Sequence, residues 1–193
     1  MLTDHAHTLR GHLLIATTGL RDSMFRRSVI FLCAHSPAGA MGLMINRPTQ
    51  DVSWQTLLHN LRPVLDARLA DEQIYEGGPA EAQRGFVLHS PEYVDSQETL
   101  RIGDSFAMTT GDQILRDLTT GRGPNRRLVA MGYAGWGAGQ LDSEMRENAW
   151  FTVAAEPDLV FGAPDEAKWR GAIAAIGIGS GALSGLSAQH GHA

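Results

Sequence analysis

The sequence predicts an α+β fold: one domain built on a mainly antiparallel, strongly curved sheet with flanking helices. Three observations predict it. Strand-like runs outnumber helical ones, they succeed one another as hairpins across short turns, and they do not alternate strictly with helices as a parallel sheet requires. A chain of 193 residues with 43% hydrophobic and 19% charged residues is enough for one good core. No internal repeat or linker divides it.

After a polar lead-in over 1–10, residues 11–18 (GHLLIATT) read as the first strand, ending at Gly19. Residues 28–35 (SVIFLCAH) are apolar at both parities, so a strand here is covered on both faces. SPAG at 36–39 is a turn, and 41–46 (MGLMIN) the next strand, stopped by Arg47-Pro48 because proline cannot donate to a ladder. Val52, Leu57, Leu58 and Leu61 lie at helical spacing behind Asp51 or Ser53 as a cap. Residues 64–72 read as a loop or short helix. A short strand over 73–76 enters Glu76-Gly77-Gly78-Pro79, where paired glycines allow backbone that other residues avoid. Strands follow at 84–89 (RGFVLH) and 106–109, then a helix over 112–119 with Gly121 after its end. Residues 127–151 carry a strand, a glycine-crowded turn and an amphipathic helix. A strand over 150–153 and a helix over 164–176, with proline in its first turn, complete the order. The glycine- and serine-rich tail reads as mobile from its composition.

Composition narrows the function classes. No apolar run approaches the ~20 residues of a membrane span, and the segment after MLTDHAHTLRGH is too short for a signal-peptide core, so the expectation is a cytoplasmic chain. One cysteine excludes an internal disulfide and a cysteine-rich zinc site. Net charge is −5, Lys168 is the only lysine, and the small arginine clusters have acids nearby, which argues against direct DNA contact. The eight histidines form no HExxH or similar ligand frame, and no G-x-S-x-G elbow is present. No metal and no cofactor is expected.

GHLLIATTGLRDSMFRRSVIFLCAHSPAGAMGLMINRP at 11–48, YEGGPAEAQRGFVLHSP at 75–91, GYAGWGAGQLDSEMRENAWF at 132–151 and GHA at 191–193 together resemble the bacterial YqgE/AlgH family. The resemblance covers nearly the whole chain. It implies a cytosolic α+β domain on bifurcated, coiled sheets, with the tail part of the domain. It supplies no reaction, and the label of transcriptional regulator given to some members finds no helix-turn-helix here to support it.

The candidate site therefore comes from residue chemistry. Gly135, Gly137 and Gly139 flank Trp136 and precede a helix starting near Gln140. Glycines there let strand, Trp136 and helix pack closely, which is the first reading; the second is an anion site made of exposed N–H groups and the positive helix end. On the helix, Leu141, Met145 and Ala149 share one face, and Gln140, Glu144 and Asn148 form a polar row on the next. Cys33 and His35 are two apart on a strand and so share a face, where the imidazole could activate the thiol; their apolar neighbours argue instead for a buried cysteine. The resulting expectation is a non-catalytic accessory or regulatory module. It binds a small ligand, with an anion among the candidates, or a protein partner in a groove formed by residues 135–148 and the turn Glu76, Gly77, Gly78 and Pro79. An enzyme using Cys33 and His35 is the alternative, and a nucleic-acid-associated regulator ranks third.

Overall fold

The computed structural model describes residues 8–17, 20, 22–59, 61, 67–95 and 98–177. In chain order the elements are β1 (His12–Ala16), a 3-10 turn (Ser23–Phe25), β2 (Val29–Ser36), β3 (Gly39–Met44), α1 (Trp54–Leu57), α2 (Ala67–Ala70), β4 (Ile74–Glu76), β5 (Ala80–His89), β6 (Thr99–Ile102) and β7 (Phe106–Thr110). They continue with α3 (Asp112–Thr119), β8 (Arg127–Trp136), α4 (Gln140–Arg146), β9 (Trp150–Ala154), a π-helical turn (Asp158–Gly162) and α5 (Asp165–Ala175).

The nine strands form one sheet in the order β6-β7-β5-β8-β3-β2-β1-β9, with β4 added beside β8. Every pairing is antiparallel except β4 with β8. The ten-residue β8 makes the fork. Its first half pairs β5 on one side and β4 on the other, and its last three residues pass to β3. Gly77 ties the fork shut, donating its N–H to Met131 O at 2.8 Å and accepting from Met44 N at 2.9 Å. A Cβ on Gly77 would run into Gly132 O, and one on Gly78 into the Tyr133 backbone, so only glycine permits this crossing.

The strand alternation explains the layers. Leu13, Ile15, Val29, Phe31 and Cys33 point into an inner core, while Leu14, Ala16, Ile30 and Leu32 point to an outer layer that includes Leu141 of α4. A third cluster sits between α1–α3 and the outer side of β5 and β8. The sheet curls until non-adjacent strands face each other: the Phe31 ring of β2 and the Phe106 ring of β7 lie 4.8 Å apart, and Phe106 stacks toward Phe161 of the π turn at 5.7 Å. Val160, Ala172 and Ile173 plug one end of this half-barrel. Each large side chain so buried contributes about 1.5–3 kcal/mol.

α5 carries one polar group into that plug. Lys168 is 2% exposed; its Nζ donates to Ile45 O at 2.7 Å and Asp165 Oδ1 at 2.8 Å, and sits 4.7 Å from the Tyr75 ring centroid. Tyr75 donates its hydroxyl to the same Asp165 oxygen at 2.8 Å. Burial lowers the lysine's pKa and, with the Asp165 carboxylate, raises the tyrosine's.

A second buried polar chain crosses β5 to β7. His89, fully buried, meets Ser90 O through Nδ1 at 2.7 Å and Thr109 Oγ1 through Nε2 at 2.8 Å. Thr109 meets Thr99 at 2.7 Å, and Thr99 Oγ1 accepts from Asp95 N at 2.9 Å. Nδ1–H donating to Ser90 leaves Nε2 to accept from Thr109, so the neutral imidazole satisfies every member. Burial lowers the His89 pKa. The unfolded chain then binds a proton that the native one refuses, so this group's stabilisation is present above the unfolded value and is lost as pH falls through it. Stability should drop below about pH 6.5, with a slope of at most about 1.4 kcal/mol per pH unit from this residue. Chemical denaturation of wild type and His89→Gln between about pH 7.5 and 5 checks it: the variant should lose that part of the slope, and parallel curves would refute it.

The fold class expected from sequence is found, and so is the bifurcated, curled sheet implied by the resemblance. Several boundaries differ. The helix expected over 51–61 shortens to α1, where Ser53 Oγ accepts Thr56 N at 3.2 Å. β6 and the π turn have no counterpart among the expected elements. The terminal GHA lies outside the described residues.

Candidate functional site

The segment 135–148 folds as strand, turn and helix, and its Gln140 and Glu144 side chains are hydrogen-bonded within the protein. After Trp136 the chain turns at Gly137, and Gly139 adopts a left-handed conformation (φ +68°) that starts α4. Gln140 folds back, accepting the Gly137 N–H on Oε1 at 3.0 Å and donating from Nε2 to Glu144 Oε1 at 2.9 Å. Glu144 Oε2 accepts two indoles, Trp136 Nε1 at 2.9 Å and Trp150 Nε1 at 2.7 Å. Both indole side chains are buried, with rings 6.0 Å apart and edge to face. One carboxylate thus clamps the end of β8 to the start of β9.

The expected row of three ends at two. α4 stops at Arg146, and Asn148 turns out at φ +56°, where its carbonyl accepts Thr17 Oγ1 at 2.7 Å. Glu76 lies elsewhere, 3.8 Å from Arg47. Gly77 and Gly78 lie at the fork of the sheet.

Cys33 and His35 do not share a face, which corrects the expectation from spacing. A bulge in the β2–β3 register falls between Leu32 and Ala34, and the extra residue reverses the alternation beyond it. Cys33 belongs to the inner core, while His35 turns to the α4 side, its Nε2 3.5 Å from Asp142 and its Nδ1 accepting Leu9 N at 3.1 Å. Burial pushes the Cys33 thiol up to about 12, against a weaker opposing effect of Arg10. At neutral pH a thiol reagent such as Ellman's should leave Cys33 unmodified in the native chain and modify it fully in denaturant. Rapid native labelling would restore the thiol-based alternative.

One of several open concavities among the described residues lies at the unplugged mouth of the half-barrel. A groove of about 640 Å³ is floored by Met41, Phe86, Met108 and Tyr133, which also pack on the inner core. Of the expected site residues, Gly135 and Trp136 line it. One wall is an arch in β5: Ala80 pairs Tyr133 and Gly85 pairs Met131, so residues 81–84 leave the ladder. Glu81 holds φ +46°, a left-handed conformation that costs a non-glycine residue on the order of 1 kcal/mol. Its Oε2 accepts from Arg84 Nη1 at 3.0 Å, and the guanidinium lies 5.3 Å from the Phe86 ring centroid. Opposite, Glu98 Oε2 accepts the Thr110 hydroxyl at 3.2 Å.

Arg84 and the floor are absent from the site expected on sequence grounds. The signal available was AEAQRG at 80–85, polar at positions where strand alternation demands apolar side chains. Among the described residues, no three His, Cys, Asp or Glu side chains converge to hold a metal ion. None of the helices there is long and apolar enough to cross a membrane, a statement that does not extend to membrane β-barrels.

A family model described as AlgH-like matches residues 13–180. A UPF0301 protein of Ruegeria pomeroyi is 47% identical over 186 residues, spanning 96% of this chain and 99% of its own length. One from Jannaschia sp. is 45% identical over 193 residues, 100% of this chain and 99% of the relative. The solution structure of the AlgH protein from Pseudomonas aeruginosa superposes with a TM-score of 0.80 at 39% identity, covering 100% of both chains. A crystal structure of a Corynebacterium diphtheriae protein shares the fold, with a TM-score of 0.63 at 23% identity over 82% of each chain.

Proposed function

The chain belongs to the AlgH-like family, and from that premise we propose that it is a non-catalytic binding module whose site is the groove at the half-barrel mouth. The observation that carries the proposal is the groove's make-up: an apolar floor of two aromatics and two methionines under a rim of Glu81, Arg84, Glu98 and Thr110. Apolar concavities with a few placed polar groups are the usual form of small-molecule sites, and barrel mouths a usual place for them. The groove keeps the Gly135–Trp136 end of the segment singled out from sequence. It replaces the turn at Glu76–Pro79 with the arch at 81–84. Of the N–H groups that the anionic version of the reading relies on, that of Gly137 is bonded to Gln140.

The test is a metabolite screen by native mass spectrometry on wild type and Ala34→Phe. Ala34 lines the groove and is half-buried, so a phenyl ring there fills the space without entering the core. A ligand retained by wild type should bind the variant at least about tenfold more weakly at an unchanged melting temperature. Equal retention by both would refute the groove as the site.

A further inference from the structure

We infer that the groove selects a cationic ligand, an ammonium or guanidinium group carried on an apolar body. The inference rests on the groove being the binding site and assigns the chemistry it takes.

Three observations lead there. The first is the charge balance of the rim. Among the groove-lining residues, Glu81 and Glu98 face a single cation, Arg84, and Arg84 is already paired with Glu81. Glu98 is left over: Oε2 accepts the Thr110 hydroxyl, and Oε1 has no hydrogen-bond partner among the described residues. Glu98 is exposed on the rim, so its pull on a cation is that of a surface carboxylate until the apolar body of a ligand covers the floor beside it and excludes water.

The second is that the groove already holds a cation of its own. The Arg84 guanidinium sits 5.3 Å from the Phe86 ring centroid with its charge matched by Glu81. That is how a cation binds an aromatic floor: the ring quadrupole attracts it and a carboxylate beside the ring neutralises it. Tyr133 extends the surface, its ring 5.7 Å from Phe86 and edge to face. Its hydroxyl has no hydrogen-bond partner among the described residues and is available to a ligand. Glu98 and Tyr133 thus offer a second carboxylate and a second ring in the same groove.

The third is what an anion would meet. It would approach Glu98, and at Arg84 it would meet a guanidinium whose charge is already offset by Glu81, held on Nη1 at 3.0 Å. The chain's net charge of −5 works in the same direction at longer range.

Arg84 therefore occupies space a cationic ligand would use, which makes the two charged variants move in opposite directions. The experiment follows the methyl resonances of Met41 and Met108 in the full chain at low salt. Phenethylammonium, 2-phenylethanol and 3-phenylpropanoate, three probes with similar apolar bodies, are titrated in turn. Phenethylammonium should bind about tenfold more tightly than the alcohol, and the carboxylate most weakly. Glu98→Gln should erase the advantage of the ammonium over the alcohol, and Arg84→Gln should strengthen ammonium binding. Equal or tighter binding of the alcohol or carboxylate, or a weakening by Arg84→Gln, overturns the inference while leaving the groove as a site. Failure of all three probes to move either methyl at millimolar concentration overturns both. The comparison among probes uses the wild-type chain, so it decides the question even if a variant fails to fold.

Discussion

Replacing Glu144 by alanine should destabilise the chain by about 2–4 kcal/mol, because two buried indole N–H groups lose their shared acceptor. The donors are Trp136 at 7% and Trp150 at 3% exposure, too enclosed for water to replace the carboxylate fully. Glu144→Gln keeps one oxygen and the i, i+4 position facing Gln140, so it should cost roughly half as much. Urea denaturation followed by tryptophan emission measures both. The result separates two uses of the polar row on α4. A clamp loses stability when cut, whereas a ligand-lining carboxylate would leave stability unchanged and weaken binding. A Glu144→Ala variant as stable as wild type would return the row to the binding site.

Asp165→Ala should cost more, about 3–5 kcal/mol, since it leaves the buried Lys168 ammonium without its carboxylate and the Tyr75 hydroxyl without its acceptor. Removing both charges together, in Asp165→Ala with Lys168→Met, should recover much of that loss, because two desolvated ions disappear with their attraction. Denaturation midpoints of the two single variants and the double variant give the coupling. Strict additivity would mean that Ile45 O and the Tyr75 ring, rather than Asp165, hold the lysine.

The parts of the fold legible in the sequence are those with a local cause. The two-sided apolar run at 28–35 announces a strand covered on both faces, and the inner and outer layers divide its residues by parity as far as Cys33. The turn at 36–39 and the stop at Arg47-Pro48 fix the β2–β3 hairpin. What fails depends on long-range geometry. The pairing of Cys33 with His35 assumes unbroken alternation, and the bulge after Leu32 arises from register against β3, which residue spacing does not encode. Glu144 reads from sequence as part of a row, but its partners are eight residues back and six ahead, on two different strands. The groove brings Met41, Phe86, Met108 and Tyr133 together from four strands, and no segment by itself carries that constellation.

The pairing of β1 with β9 also bears on how the chain reaches this state. It sets His12 opposite Ala154, residues 142 positions apart (154 − 12), and runs through five paired residues to Ala16 and Trp150. Loops of that length close slowly relative to hairpins, so this ladder belongs to the late events of folding. Until β9 arrives, β1 is an unpaired edge of almost entirely apolar side chains, the kind of edge along which nascent chains associate. Glu144, by fixing Trp150 against Trp136 at the entrance to β9, stabilises that last strand once it is in place.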